Sequence, residues 1–274
     1  MADIGGTLAE REFSKIAQIA YSEAGLVLEP AKRMIVQSRV RRRLSVLGMT
    51  NFETYCEFLN SASASSEIPD LITCLTTNVS SFFREAHHFD HLCNQIAPKL
   101  LAKMDANQPV RIWSAGCSNG QEPYSIKMAL LDVDNRFEDP SCKILATDID
   151  ENVLKYAKTG QYTEEQLQGV EDRVRSKYFQ KLNDLSYSVT ANVRKNIVFN
   201  RLNLISEWPM RQKIDVIFCR NVMIYFDQVV QDSLAEKFSN ALSDDGTIFV
   251  GHSERFKHNV LVPDGNTTYS KRPV

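Results

Sequence analysis

The chain has 274 residues, of which 43% are hydrophobic and 24% are charged, and its formal net charge at pH 7 is -2. This composition is typical of a globular protein with a sizeable core, and it excludes the disordered and fibrous classes. Since there is no excess of positive charge, any binding of a polyanion would depend on a local basic patch.

Neither a secretory signal nor a membrane span is expected. The first eleven residues are polar and include acidic side chains, and no later apolar run is long enough to cross a bilayer. The six cysteines show no close paired spacing, and several lie in apolar stretches, so we expect reduced, structural thiols. These observations predict a cytoplasmic protein.

Residues 10–75 are predicted to be helical, because apolar residues recur there at helical spacing and no strand pattern interrupts them. A serine-rich piece at residues 61–66 ends one helix, and Pro69 can begin the next. We therefore predict an all-helical domain over residues 1–76, followed by a linker and helix over residues 77–108.

After about Gln108, short β-branched runs alternate with helical patterns. The predicted strands cover residues 110–114, 142–147, 196–199, 214–219 and 247–250. Such alternation predicts an α/β domain, a doubly wound and mostly parallel sheet, over residues 109–274. The connection before the third strand is longer than this fold requires, so we predict a small inserted β subdomain over about residues 160–195.

The first predicted strand leads into a glycine-containing loop, Ala-Gly-Cys-Ser-Asn-Gly-Gln-Glu, at residues 115–122. Gly116 and Gly120 permit a sharp turn and a close approach of the backbone to a ligand. The dinucleotide and Walker patterns are both absent, which favours a nucleotide-like cofactor without phosphates, such as S-adenosylmethionine. Asp148, at the end of the second strand, would bind its ribose. The alternative is that Asp148 and Asp150 only cap the following helix.

Polar residues also follow the strand at residues 214–219, at the carboxyl end where open α/β sheets bind ligands. We expect Asn221 and Tyr225 to face the reacting atoms. The alternative is that Arg220 and Asn221 satisfy loop backbone groups while Tyr225 packs against its neighbours.

Five stretches, in order along the chain, resemble the chemotaxis receptor glutamate methyltransferases, the CheR family. They are residues 75–89 (LTTNVSSFFREAHHF), 120–125 (GQEPYS), 146–150 (ATDID), 218–226 (FCRNVMIYF) and 251–254 (GHSE). The resemblance implies the class I S-adenosylmethionine methyltransferase fold. It also implies methyl transfer to glutamate carboxylates on the cytoplasmic helical bundle of chemoreceptors, with S-adenosylhomocysteine as the second product.

The resemblance extends to the residues that bind the cofactor. Gly116 belongs to the glycine-containing loop, and Ser80 stands where the family often has threonine. The positions that match the family's cofactor residues are Asn78, Arg84, Glu122, Asp148, Asn203, Leu204, Arg220 and Asn221.

The implied reaction requires few catalytic groups from the protein. A glutamate side chain is already ionised near pH 7 and needs no general base, so the enzyme would contribute alignment and desolvation. Arg84 is predicted to bind the cofactor carboxylate. Tyr225 is the predicted catalytic residue, positioning the methyl group or the substrate.

A run of basic residues without an intervening acid occupies the second predicted helix. Arg39, Arg42 and Arg43 recur at spacings of three and four, so they are predicted to share a face opposite Val36 and Val40. In the family this domain is associated with acidic receptor methylation regions, so these arginines are predicted to bind substrate. The alternative is an ordinary solvated face.

Two further predictions concern what the protein does not bind. His87, His88 and His91 are not expected to form a metal site, because adjacent histidines on a helix point in different directions. Some family members hold a receptor pentapeptide through a glycine-containing loop in the inserted subdomain. Residues 178–198 contain no glycine, so we predict receptor binding without that tether.

Two other functions remain open at this stage. A nucleic-acid methyltransferase would use the same cofactor, but the Arg-Asn-Val-Met sequence at residues 220–223 lacks the Pro-Pro-Tyr turn of the amino-methylating families, and no nucleic-acid partner is expected. A non-catalytic adaptor that senses S-adenosylmethionine would have the same cofactor residues.

Overall fold

The computed structural model describes residues 6–257 and 259–271. These residues form two compact units, one comprising the described chain up to Thr77 together with residues 225–230, and the other comprising residues 78–224 and the described chain from 231 onward. Among the described residues, none of the helices combines the length and the apolar character required to cross a membrane.

The first unit is helical. Its helices are α1 (Glu10–Ala24), α2 (Arg33–Leu47), α3 (Phe52–Leu59) and α4 (Ile68–Leu75), with 3-10 turns at Pro30–Lys32 and Ala62–Ser66. Pro69 lies in the first turn of α4, where its missing N–H costs no hydrogen bond. The apolar residues predicted at helical spacing form the core, including Phe13, Ile16, Val40 and Leu44. The predicted all-helical character of this region is confirmed.

The second unit contains the remaining helices and all strands of the described chain. The helices are α5 (Ala86–His91), α6 (Ala97–Asp105), α7 (Gln121–Val133), α8 (Glu151–Thr159), α9 (Asp172–Tyr178), α10 (Ala191–Arg194) and α11 (Gln228–Ala241), with a π-helical turn at Leu92–Ile96. The strands are β1 (Val110–Ala115), β2 (Cys142–Asp148), β3 (Gln161–Thr163), β4 (Phe179–Asn183), β5 (Ser186–Val189), β6 (Ile197–Arg201), β7 (Ile214–Cys219), β8 (Leu242–Val250), β9 (Leu261–Pro263) and β10 (Thr268–Lys271).

Seven strands form the main sheet, in the order β6-β2-β1-β7-β8-β10-β9. The first five of these pair in parallel, whereas β10 pairs antiparallel with both β8 and β9. All six residues of β7 are buried. Because successive side chains on a strand point to opposite faces, both faces of the sheet are covered there. The predicted α/β class and mostly parallel sheet are confirmed, while the antiparallel strands β9 and β10 were not predicted.

The predicted insertion is a three-stranded antiparallel sheet with β5 in its centre, between β3 and β4. A two-residue turn at residues 184–185 joins β4 to β5. The α-helix α9 (Asp172–Tyr178) directly precedes β4.

Candidate active site

The loop after β1 brings backbone, rather than side chains, to the carboxyl edge of the sheet. Gly116 has φ +82°, and its N–H donates to the Thr147 carbonyl at 2.8 Å. A Cβ at this position would overlap Cγ2 of Val222. Gly120 has φ +89°, and a Cβ there would lie 2.8 Å from the Ala157 Cβ. Both glycines are required by positive φ and by close packing against Val222 and Ala157, so the predicted sharp turn is present, and close approach to a ligand stays a prediction.

Asp148, at the end of β2, is joined to this loop. One of its oxygens accepts the Ser118 N–H at 2.8 Å and the other accepts the Asp150 N–H at 3.0 Å. Burial raises the pKa of the Asp148 carboxyl, although these backbone N–H groups oppose the shift. Asp150 is the cap of α8, since it accepts the Asn152 N–H at 2.8 Å. Its second oxygen accepts the Asn78 amide at 2.7 Å, which links Asn78 to this edge.

A buried ion pair lies at the centre of the same edge. Arg220 Nε is 3.1 Å from Glu122 Oε2, and the two residues are only 6% and 9% exposed. Glu122 Oε1 accepts the Ser114 hydroxyl at 2.7 Å, and Arg220 Nη2 donates to the Arg84 carbonyl at 2.6 Å. Burial raises the pKa of Glu122, while Arg220 works in the opposite direction. The guanidinium is therefore held in one orientation before any ligand binds.

A histidine supports this arginine from the other side. His88 is fully buried; its Nε2 lies 2.8 Å from Thr267 Oγ1 and its Nδ1 lies 3.2 Å from Arg220 Nη1. Since a guanidinium can only donate, Nδ1 is the acceptor and Nε2 carries the proton. Burial and the adjacent Arg220 lower the pKa of His88 to about 3. His88 is thus neutral at physiological pH.

Glu85, His87 and His88 bring potential ligand atoms within 4.8 Å of one another. The expectation that adjacent histidines would point apart is wrong for His87 and His88, whose ring centroids are 4.1 Å apart. Nevertheless, His88 Nδ1 already accepts from Arg220, and a guanidinium at that distance would repel a metal cation. These groups are better explained as the surroundings of Arg220.

The loop after β7 is held by a residue to which the sequence assigned no role. Asn221 has φ +58°, and its N–H donates to Glu254 Oε2 at 2.9 Å. The same carboxylate accepts the Gly251 N–H at 2.5 Å and the Ile224 N–H at 3.2 Å. The Asn221 amide nitrogen lies 3.5 Å from Glu85 Oε1.

The sequence-predicted residues thus follow neighbouring parallel strands. Asp148 follows from β2, Gly116 from β1 and Arg220 from β7, and Asn203 and Leu204 come shortly after β6. Because the carboxyl ends of parallel strands share one edge, the topology brings all of them to it. Two buried polar atoms of this region have no hydrogen-bond partner among the described residues: Asn119 Oδ1 and Gln121 Oε1. A glycine-lined turn beside unsatisfied polar groups fits a polar organic cofactor.

Comparison with known proteins agrees with this geometry. The all-alpha domain of the CheR methyltransferases matches residues 11–76, and the S-adenosylmethionine-binding domain of the same enzymes matches residues 78–267. The chain belongs to the CheR methyltransferase family. Membership confirms the predicted cofactor, S-adenosylmethionine, and the predicted class of enzyme, a methyltransferase dependent on it.

Several CheR relatives are similar over nearly their whole length. A probable chemotaxis protein methyltransferase of Rhizobium etli is 40% identical, over 91% of this chain and 95% of that protein. The chemotaxis protein methyltransferase of Borreliella burgdorferi is 39% identical, over 92% and 90%. That of Escherichia coli is 38% identical, over 92% and 86%.

The remaining residues predicted to bind the cofactor have local backbone contacts. Arg84 Nη1 donates to the Val79 carbonyl at 3.3 Å, and Ser80 is half-buried nearby in the chain. Asn203 Oδ1 accepts the Ile205 N–H at 3.2 Å. Leu204 is buried, and its carbonyl accepts the indole N–H of Trp208 at 3.0 Å.

The predicted catalytic and substrate residues of this CheR protein lie in the helical unit. Tyr225 is half-buried there, and its carbonyl accepts the Val27 N–H at 2.9 Å. Arg39 is half-buried and donates to the carbonyls of Leu75 and Thr76 at the carboxyl end of α4. It therefore caps that helix.

Arg43 is also engaged within the helical unit. Its Nε and Nη2 donate to the two oxygens of Glu67 at 2.7 and 2.5 Å, and Nη2 also contacts Asp70. Glu67 is 3% exposed and accepts the Tyr55 hydroxyl at 2.8 Å. Arg42, in contrast, is exposed. Arg39 and Arg43 thus have their contacts at α4 and at Glu67 before it, whereas Arg42 is exposed, and substrate binding by the three arginines stays a prediction.

Proposed function

We propose that this protein transfers the methyl group of S-adenosylmethionine to glutamate side-chain carboxylates of chemoreceptor cytoplasmic domains, forming methyl esters. The observation that carries the proposal is the match of both CheR domains, together with relatives named chemotaxis protein methyltransferases. Methylation of receptors by this enzyme would serve adaptation in chemotaxis.

In this proposal, the carboxyl edge of the sheet holds the cofactor. Asp148 accepts hydrogen bonds from the ribose hydroxyls, and the backbone of the turn at Gly116 lies along the cofactor. Arg84 binds the cofactor carboxylate. The Arg220–Glu122 pair and Asn221 supply further polar contacts. The other proposed contacts are those of Asn78, Ser80, Asn203 and Leu204.

The chemistry requires few groups beyond these. When bound, S-adenosylmethionine supplies an electrophilic methyl group on a positively charged sulfur. The acceptor carboxylate forms a carbon–oxygen bond as the carbon–sulfur bond breaks, and the two opposite charges disappear together. A site that excludes water favours such a neutralising step, because water stabilises the separated charges most. Tyr225 is proposed to orient the acceptor or the methyl group.

The helical unit is proposed to contact the receptor. Arg42 is exposed on α2, so it is the most accessible of the three predicted arginines for an acidic receptor segment. Arg39 and Arg43 are proposed to add to the attraction for the acidic receptor segment. Their hydrogen bonds within the unit hold α2 to α4 and to Glu67. The inserted sheet contains no glycine at its β4–β5 turn. We therefore propose that a receptor pentapeptide tether is not required.

The decisive experiment incubates the protein with methyl-labelled S-adenosylmethionine and a chemoreceptor cytoplasmic fragment, and then measures base-labile label on the receptor. Transfer to glutamate predicts volatile methanol on base treatment and loss of label when the acceptor glutamates are replaced by alanine. Base-stable label on nucleic acid would instead indicate the nucleic-acid methyltransferase. Cofactor binding without any transfer would indicate the adaptor.

The tether is tested separately. Isothermal titration with the receptor's carboxyl-terminal pentapeptide is expected to give no measurable heat of binding. Receptors with and without this pentapeptide should be methylated at equal rates. Tight pentapeptide binding, or a rate that depends on it, would contradict the proposal for the tether while leaving the proposed reaction intact.

A further inference from the structure

The Glu254 carboxylate is a buried acceptor on which several backbone N–H groups converge. It is 4% exposed and accepts from Asn221 at 2.9 Å, from Ile224 at 3.2 Å and from Gly251 at 2.5 Å. A further backbone hydrogen bond comes from Met223. One carboxylate therefore fastens the loop after β7 to the loop after β8.

The loop that it fastens is in an unfavourable conformation. Asn221 has φ +58°, in the left-handed region that most non-glycine residues avoid and that asparagine tolerates better than others. The two loops also approach very closely, since a Cβ on Gly251 would lie 2.6 Å from Asn221 Nδ2 and 2.8 Å from its backbone nitrogen. Such a conformation persists only where surrounding contacts determine it.

Only an ionised carboxylate meets the requirements of this position. Its two oxygens accept without donating, so they match a set of converging N–H groups. The amide of a glutamine would direct its own N–H groups at one of these donors. Burial raises the pKa of the Glu254 carboxyl, and the N–H groups of Gly251, Asn221, Ile224 and Met223 oppose that shift.

We propose that Glu254 is a positioning residue for cofactor binding, acting through Asn221. Its carboxylate holds the backbone of residues 221–224 so that the Asn221 side chain is presented at the carboxyl edge of the sheet in the bound orientation. This inference rests on the proposed cofactor contact of Asn221, and it concerns binding alone, whatever the methyl acceptor is.

The test compares two variants that each remove one buried carboxylate. Glu254→Gln alters the loop beside the cofactor edge. Asp215→Asn is the matched control, because Asp215 is 5% exposed and accepts the Arg111 N–H at 2.8 Å at the amino end of the same sheet. The probe is S-adenosylhomocysteine, titrated calorimetrically into the full chain without receptor.

Glu254→Gln is expected to weaken binding of the probe by about tenfold or more, the ratio that corresponds to one buried N–H losing its acceptor. Asp215→Asn is expected to change the dissociation constant by less than about twofold. Both should lower the melting temperature. An unchanged affinity in Glu254→Gln, or equal losses in the two variants, would overturn the proposal.

A double-mutant cycle tests whether Glu254 acts through Asn221. If it does, Glu254→Gln should weaken binding little further once Asn221→Ala is present, whereas full additivity would overturn the proposal. If Glu254→Gln does not fold, Gly251→Ala replaces it, because the added methyl displaces Asn221 directly. Unchanged affinity in Gly251→Ala would then decide against the inference. Receptor methylation is not part of these measurements, so a different acceptor would leave their outcome unaffected.

Discussion

The neutral state of His88 makes the stability of the sheet unit depend on pH. Its pKa falls from an ordinary 6.5 to about 3, because the ring is buried and lies beside Arg220. Below pH 6.5 the unfolded chain therefore binds a proton that the folded chain excludes. Stability is complete above pH 6.5 and declines as the pH falls toward 3.

The magnitude follows from the proton linkage. Each pH unit below 6.5 costs about 1.36 kcal/mol as long as the folded protein remains unprotonated at this ring. At pH 5, the loss from His88 alone is about 2 kcal/mol relative to pH 8. This figure depends mainly on the unfolded pKa, because pH 5 lies well above the folded value of about 3.

Urea unfolding measures this loss, followed by tryptophan fluorescence. Both tryptophans of the chain, Trp113 and Trp208, lie in the sheet unit, so the signal reports that unit. The reference is His88→Asn, whose Oδ1 can accept from Arg220 but cannot titrate. Between pH 8 and pH 5, the wild type should lose about 2 kcal/mol more than this variant. Equal losses in the two proteins would refute the assignment of His88 as buried and neutral.

Four other variants test the contacts described above. Arg43→Ala should destabilise the protein by about 3 kcal/mol or more in thermal unfolding, since Glu67 would be left buried and uncompensated. Arg42→Ala should cost less than about 0.5 kcal/mol but raise the Michaelis constant for receptor, and the reverse pattern would contradict both assignments. Asp148→Asn should weaken calorimetric binding of S-adenosylhomocysteine about tenfold or more, and wild-type affinity would exclude its ribose contact. Tyr225→Phe should lower turnover without altering cofactor affinity, so a rate near wild type would remove its catalytic role.

The central strands β1 and β7 could be predicted because almost all their side chains are buried, which produces near-continuous apolar runs such as residues 216–219. The strands β9 and β10 have three and four residues, and Pro263 lies in β9. Runs this short show no reliable alternation, and antiparallel pairing with β8 depends on contacts that are distant in the chain.

The meeting of the predicted site residues at one edge of the sheet was predictable for a topological reason, since residues that follow parallel strands share that edge. The roles of Glu254 and His88 could not be predicted, because their partners Asn221 and Arg220 lie 33 and 132 residues away in the chain. Helical spacing likewise grouped Arg39, Arg42 and Arg43, but it contained no information about Glu67 on the opposing segment. What the sequence could not provide was the set of contacts that fix the orientation of each polar group.

The position of β10 in the main sheet has a consequence for synthesis of the chain. This strand lies between β8 and β9, and Thr267, directly before it, contacts the ring of His88. A nascent chain that has not yet extended past these residues leaves the edge of β8 unpaired and His88 without its hydroxyl partner. Because Thr267 and β10 follow His88 and Arg220 in the chain, the contacts that hold Arg220 should be complete only after these later residues have been synthesised. Ribosome-bound chains halted before Thr267 are therefore expected to expose a sheet edge that chaperones can recognise.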